Sequence, residues 1–219
     1  MDFKLLFDFL YDLNADGHND KSWMDAHRKE YHQTRNMYID FLDELNEVLK
    51  KSDPDYTDTP GRKAINRINN NKVFKPDAPT YKDHFGASLD KVLEKTDFYI
   101  HIGINGSFVA TGFYHAPNEK LKLVRQEIDY NGDELDEILN EPRFKEKFGG
   151  LWMEDSLKTT PQGYKKDHPR IDMLRLKSFV IQRDFTEDEI KNSSFEDDLI
   201  ETYQLMLPFR KFLDQSLDG

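Results

Sequence analysis

Residues 97–114 constrain this chain more than any other stretch. Asn105-Gly106 is flanked by two apolar-alternating runs of equal length, Asp97-Phe-Tyr-Ile-His-Ile-Gly-Ile104 and Ser107-Phe-Val-Ala-Thr-Gly-Phe-Tyr114. Asn-Gly tolerates positive φ at both central positions of a type I′ turn, whose twist suits paired strands. The run is predicted as an antiparallel hairpin in the middle of the domain, which rules out an all-helical fold. A two-residue turn there sets Ile104 against Ser107, Ile102 against Val109, Ile100 against Thr111 and Phe98 against Phe113. Period two then gives one greasy face. The other carries Tyr99, His101, Gly103, Phe108, Ala110, Gly112 and Tyr114. Its small residues leave room for a close approach, and a packed helix is expected there ahead of a ligand.

Helices are expected on both sides of this ribbon. Phe3, Leu6, Phe7 and Leu10 recur at helical spacing, and after a polar break at 14–19 a second helical stretch starts near Asp20. Its stripe of Tyr38, Phe41, Leu42, Leu45, Val48 and Leu49 is core, and Asp53-Pro54 ends it. Pro117-Asn118 opens a helix through Leu121, Val124, Arg125 and Ile128 that Asn131-Gly132 should stop. Short helices are expected at 133–140 and 142–148, a strand at 151–157, and β character from Leu174 to Phe185. Thr186 with Glu189 and Ser193 with Glu196 read as capping boxes, the second starting a C-terminal helix interrupted near Pro208. The predicted fold is α+β: one domain over 1–219 with an antiparallel or mixed sheet containing the Asn-Gly hairpin. Helices of the N-terminal part, about 1–51, and of the C-terminus pack on it.

Composition excludes several function classes. Without a cysteine there are no disulfides, thiolate nucleophiles or Cys-ligated metal centres, and cytoplasm is the expected compartment. No apolar run is long enough to span a bilayer, and the N-terminus has no signal-peptide pattern. A net charge of -11 argues against nucleic acid and anionic membranes as partners. That charge is unevenly spread. Residues 61–85 and 158–177 each carry six Lys/Arg against two Asp, leaving 19 basic and 38 acidic residues elsewhere. Either these windows pair with acids across the fold or they converge on an anion.

Familiar motifs are absent or broken. Asp12, Asn14, Asp16, Gly17 and Asp20 match the start of an EF-hand loop, but Trp23 stands where a bidentate Glu must close the shell. A helix–helix turn is therefore expected there, with no calcium. The histidines lack metal-ligand spacing, so no metal and no cofactor are expected, and nucleophile-elbow, P-loop and dinucleotide patterns are missing. What remains is Arg67 and Asn69 followed by Tyr81-Lys82-Asp83-His84-Phe85, polar groups among aromatic ones. Arg clamps carboxylate or phosphate, and Tyr, Lys and His serve as acid–base groups when their pKa values shift.

Four stretches together carry a resemblance. They are Trp23-Met24 before Tyr31; Arg67-Ile-Asn-Asn-Asn-Lys-Val-Phe74 running on to Tyr81-Lys82-Asp-His84-Phe85; the hairpin with Gly112, leading to Leu121 and Arg125; and Leu157-Lys-Thr-Thr-Pro161-Gln-Gly163-Tyr164-Lys-Lys-Asp-His168-Pro169 with Leu174-Arg-Leu-Lys177-Ser178. In these the chain resembles, over nearly its whole length, the family called domain of unknown function 2461. The resemblance implies an α+β fold and names no activity. This sequence also departs from the family pattern, which carries charge where Asn70, Asn71 and Val73 stand and a later lysine and proline at Ala78 and Thr80.

The leading expectation is a cytosolic domain recognising an anionic small molecule that bears phosphate or carboxylate, with no chemistry assigned. Its candidate site gathers Arg67, Tyr81, Lys82, His84, His101, Arg125, His168, Arg175 and Lys177 from the two basic windows and the hairpin. The rival expectation is a non-catalytic interaction domain whose acidic surface, including Asp184–Glu201, docks a basic protein partner.

Overall fold

The computed structural model describes residues 1–74 and 76–217. The chain runs α1 (Phe3–Asn14), α2 (Lys21–Ala26), α3 (Arg28–Ser52), α4 (Gly61–Ala64), β1 (His84–Leu89), β2 (Phe98–Gly103) and β3 (Ser107–Phe113). It continues through α5 (Asn118–Asn140), α6 (Pro142–Phe148), α7 (Ile171–Leu174), β4 (Phe179–Phe185), α8 (Glu187–Lys191) and α9 (Phe195–Gln215). The fold is α+β, with an antiparallel sheet in the order β1-β2-β3-β4. Two compact units divide the chain: Met1–Lys91 with Phe98–Val109 and Asp184–Ile200, and Val92–Asp97 with Ala110–Arg183 and the chain from Glu201 onward. Among the described residues no helix is long and apolar enough to cross a membrane.

In the first unit the expected apolar stripes become core. Leu6, Leu10 and Leu13 of α1 and Tyr38, Leu42, Leu45 and Leu49 of α3 are fully buried. Each aliphatic among them contributes about 2 kcal/mol by leaving water. Phe3 meets Phe41 and Phe195 edge-on at 5.1 and 5.2 Å. β1 and β2 pair with Phe85 opposite Ile102 and Ala87 opposite Ile100, so their buried residues share one face. The aspartates and asparagines of the EF-hand-like stretch hold the turn into α2. Asp20 accepts the Trp23 N–H at 2.8 Å as an N-cap, and His18 Nδ1 lies 2.7 Å from the Asp12 carbonyl.

The corner between β2 and β3 departs from the expected type I′ turn. It lies at Ile104-Asn105, and the positive φ, 125°, belongs to Gly106. Among the described non-glycine residues positive φ is confined to Asp90, Glu94 and His115, so Asn105 stays outside the left-handed region that a type I′ turn requires. Beyond the corner His101 stacks on Phe108 at 4.5 Å, and Thr111 Oγ1 donates to the Asp97 carbonyl at 2.6 Å. Rings of the sheet itself gather on the face where a helix was expected. His84 stacks on His101 at 3.8 Å, and the Tyr99 hydroxyl occupies the space a side chain at Gly86 would fill.

In the second unit, Val124, Ile128 and Leu135 of α5 are fully buried, as are Phe179, Ile181, Phe209 and Phe212. The stop expected at Asn131-Gly132 is only a kink: Asn131 takes φ -118° and ψ 23°, and α5 continues to Asn140. Gly132 is needed for a different reason, since a Cβ there would lie 2.6 Å from the Arg170 side chain. Residues 151–157 form no strand. Their pairing is limited to the Trp152 N–H on the Val180 carbonyl and a bridge from Ser156 to Leu176. α9 runs through Pro208 without interruption, and it starts at Phe195, which puts Ser193 outside the capping position. The capping box of Thr186 and Glu189 forms as its spacing predicts.

Candidate functional site

Five of the nine sequence-predicted site residues lie in the first unit, and backbone pairing positions most of them. Residues 65–69 run beside β1 and beside 80–82: Ile65 bridges Ala87, Asn69 bridges Tyr81, and the Lys82 N–H reaches the Ile68 carbonyl at 2.8 Å. Asn19 then clamps the Tyr81 backbone from the α1–α2 turn, accepting its N–H at 2.7 Å and donating to its carbonyl at 3.2 Å. Lys82 Nζ donates to the Arg67 carbonyl at 2.7 Å, while the exposed Arg67 guanidinium has no partner among the described residues.

Next along the strand, Asp83 joins His84 at 2.8 Å and accepts from Asn105 Nδ2 at 2.7 Å. Burial raises the Asp83 pKa, but the hydrogen bonds from Asn105 and His84 outweigh it and hold the carboxyl below its ordinary range. His101, under His84, is pushed the other way. Burial first, then the positive charges of His84 and Lys82, lower its imidazole to about 4 against the pull of Asp83.

The other four residues lie in the second unit, and acids or carbonyls occupy each. Arg125 forks onto the Leu174 and Leu176 carbonyls, with Nε at 2.7 Å and a terminal nitrogen at 2.9 Å. His168 Nε2 lies 3.0 Å from Asp129 of α5, and the adjacent Arg170 is held between Asp133 and Asp136. Arg175 pairs with Asp172 at 3.2 Å, and Lys177 with Asp155. Asp155 also takes His115 Nδ1 at 3.0 Å and Ser178 Oγ at 3.3 Å. Three of the six Lys/Arg of 158–177, namely Arg170, Arg175 and Lys177, are thus held by acids of this unit and serve as ties between segments.

The first unit also contains a cleft of about 330 Å³ in which only Tyr81 belonged to the sequence-predicted set. Met24, Ile68, Tyr31 and Tyr81 give it an apolar and aromatic lining, with Lys21, Asp25 and Arg28 at its edge. Tyr81 is 6% exposed, and its hydroxyl has no partner among the described residues. Burial raises the Tyr31 pKa, and the Arg35 guanidinium bonded to its hydroxyl opposes the rise. The sequence does carry a signal for this wall. Lys21, Met24, Arg28, Tyr31 and Arg35 follow one another at steps of three and four, the spacing of one helical face. Asp25, the carboxylate lining the cleft, engages Lys21 at 2.5 Å as well as Arg28.

Residues 5–212 match the model of the family described as Conserved hypothetical protein (DUF2461). The chain belongs to the DUF2461 family. No curated protein and no solved structure matches it. In this DUF2461 chain Asn70 and Asn71 use neutral side chains to make local hydrogen bonds. Asn70 donates through its amide to the Pro79 carbonyl at 2.9 Å, and Asn71 Oδ1 accepts the Val73 N–H at 3.1 Å.

Proposed function

We propose that the protein recognises an anionic small molecule, phosphate- or carboxylate-bearing, in the cleft walled by α2, the start of α3 and residues 68–69 and 80–81. The grouping of donors at the cleft carries this reading: the Tyr81 hydroxyl, which has no protein partner among the described residues, lines the same recess as Lys21 and Arg28, and a bound oxyanion would accept from such a set. Charge supports it. Lys21 and Arg28 share the single carboxylate of Asp25 at the cleft edge, and Arg35 acts on the Tyr31 hydroxyl, in a chain whose net charge is -11. Arg67 and Lys82, on the strands that carry Ile68 and Tyr81, add positive potential to the approach. Cytoplasmic location belongs to the same proposal, supported by the cysteine-free composition.

The test is thermal unfolding in inorganic phosphate against chloride at matched ionic strength. A phosphate concentration about 100 times Kd should stabilise by about 2.7 kcal/mol. Arg28→Gln, on an exposed side chain that can be lost without disturbing the core, should remove most of that gain. Equal melting temperatures in the two salts would overturn the reading.

A further inference from the structure

Resting on that anion reading, we propose that the ligand carries its charge on a single aromatic ring, as an aryl phosphate or an aromatic carboxylate does. The anion would meet the Tyr81 hydroxyl and Arg28, and the ring would lie against Met24 and the ring of Tyr31. The lining is the first reason. Met24 is 5% exposed and Ile68 4%, so the floor of the cleft is hydrocarbon and thioether. A bare phosphate gains nothing from such a floor, because leaving water beside apolar walls costs a hydrated ion without returning hydrogen bonds. A flat ring gains from both features, since thioether sulfur and phenol rings each pack well against aromatic faces.

Size is the second reason. About 330 Å³ stands at the low end of the range for small-molecule sites and is enough for one ring with its charged group. The polar groups are placed to orient such a ligand without filling the cleft themselves. Tyr31 is kept a neutral phenol by burial, while Asn69 and Thr80 at the edge have side chains uncommitted among the described residues. The Tyr31 ring is itself braced, lying near parallel to Phe85 at 6.5 Å and near Phe9 at 6.0 Å.

The experiment compares four probes on the full chain at matched ionic strength: inorganic phosphate, phenyl phosphate, benzoate and benzyl alcohol. Phenyl phosphate should bind about tenfold or more tighter than inorganic phosphate, the step expected when one ring leaves water. Benzoate should bind and benzyl alcohol should not. Tyr81→Phe keeps the packing of a buried ring and should weaken phenyl phosphate about tenfold. Met24→Leu, which keeps the volume, should weaken phenyl phosphate and leave inorganic phosphate unchanged. Equal affinity for phenyl and inorganic phosphate would end the ring assignment and leave the anion reading standing. Binding of benzyl alcohol as tight as that of phenyl phosphate would end both, and so would a failure of both phosphates to bind.

Discussion

At Gly112 the backbone turns left-handed, φ 126°, and the Phe179 carbonyl oxygen lies 2.0 Å from where a Cβ would sit. Two costs then coincide in any substitution, since a non-glycine residue resists this φ and its first carbon collides with a fixed backbone. Gly112→Ala should therefore destabilise by about 2–4 kcal/mol and lower the melting temperature by roughly 4–16 °C for a chain of this size. An unchanged melting curve would contradict the close approach of the two segments. His101 makes a prediction of a different kind. Its folded pKa, about 4, lies below the ordinary 6.5, so on acidification the unfolded chain takes up the proton first. The stabilising contribution is complete above about pH 6.5 and is lost as the pH falls from there through about 4. A proton titration of the imidazole by NMR should give a midpoint near 4, and His101→Phe should flatten the fall in melting temperature across that window. A midpoint at the ordinary value would contradict both the burial and the ring stack.

Among the elements, α5 illustrates how a helix can be tied by charge instead of by packing alone. Its Arg125 satisfies the Leu174 and Leu176 carbonyls, and its Asp129, Asp133 and Asp136 hold His168 and Arg170. The Arg125 guanidinium has its pKa lowered by burial, yet a group so basic stays charged and donates to both carbonyls. Removing it strands two acceptors at once. Arg125→Met should cost about 2–4 kcal/mol in chemical denaturation, and Arg125→Lys should recover little of it because an ammonium cannot fork onto both carbonyls. Neither variant should alter phosphate binding in the first unit, which separates this residue's role as a tie from any role as a ligand contact. An Arg125→Met variant of normal stability that loses phosphate binding would reverse the assignment.

For the molecule as a whole, the charge of -11 conceals two different uses of basic residues. In the second unit acids close at hand hold half of the Lys/Arg of 158–177: Asp133 and Asp136 hold Arg170, Asp172 holds Arg175 and Asp155 holds Lys177. In the first unit Arg67 is exposed, and Lys21 and Arg28 edge a cleft with one carboxylate, Asp25. Salt screens interactions between exposed charges beyond about 8 Å at physiological ionic strength, so the local balance at the cleft governs what binds there more than the total does. Binding comparisons at unequal ionic strength would mix that local attraction with the repulsion of the whole acidic surface.

Local rules made several parts of this protein legible in its sequence. The stripes of α1 and α3, the strands on either side of Asn105-Gly106, the capping box at Thr186 and the polar turn into α2 each depend on residues within a few positions of one another. Tertiary structure decided what depends on distant partners. The expected break at Asn131-Gly132 is only a kink within α5, and Asn105 stays out of the left-handed region that a type I′ turn at Asn-Gly would need. Clustering of basic residues along the chain marked two windows alike. Only the fold shows that Arg170, Arg175 and Lys177 of one are tied to acids of α5, Asp172 and Asp155, whereas the other runs beside a cleft whose remaining wall comes from α2 and α3. Charge in a sequence is a count, but recognition depends on which charges are left unpaired and desolvated together, and that is a property of distances in space.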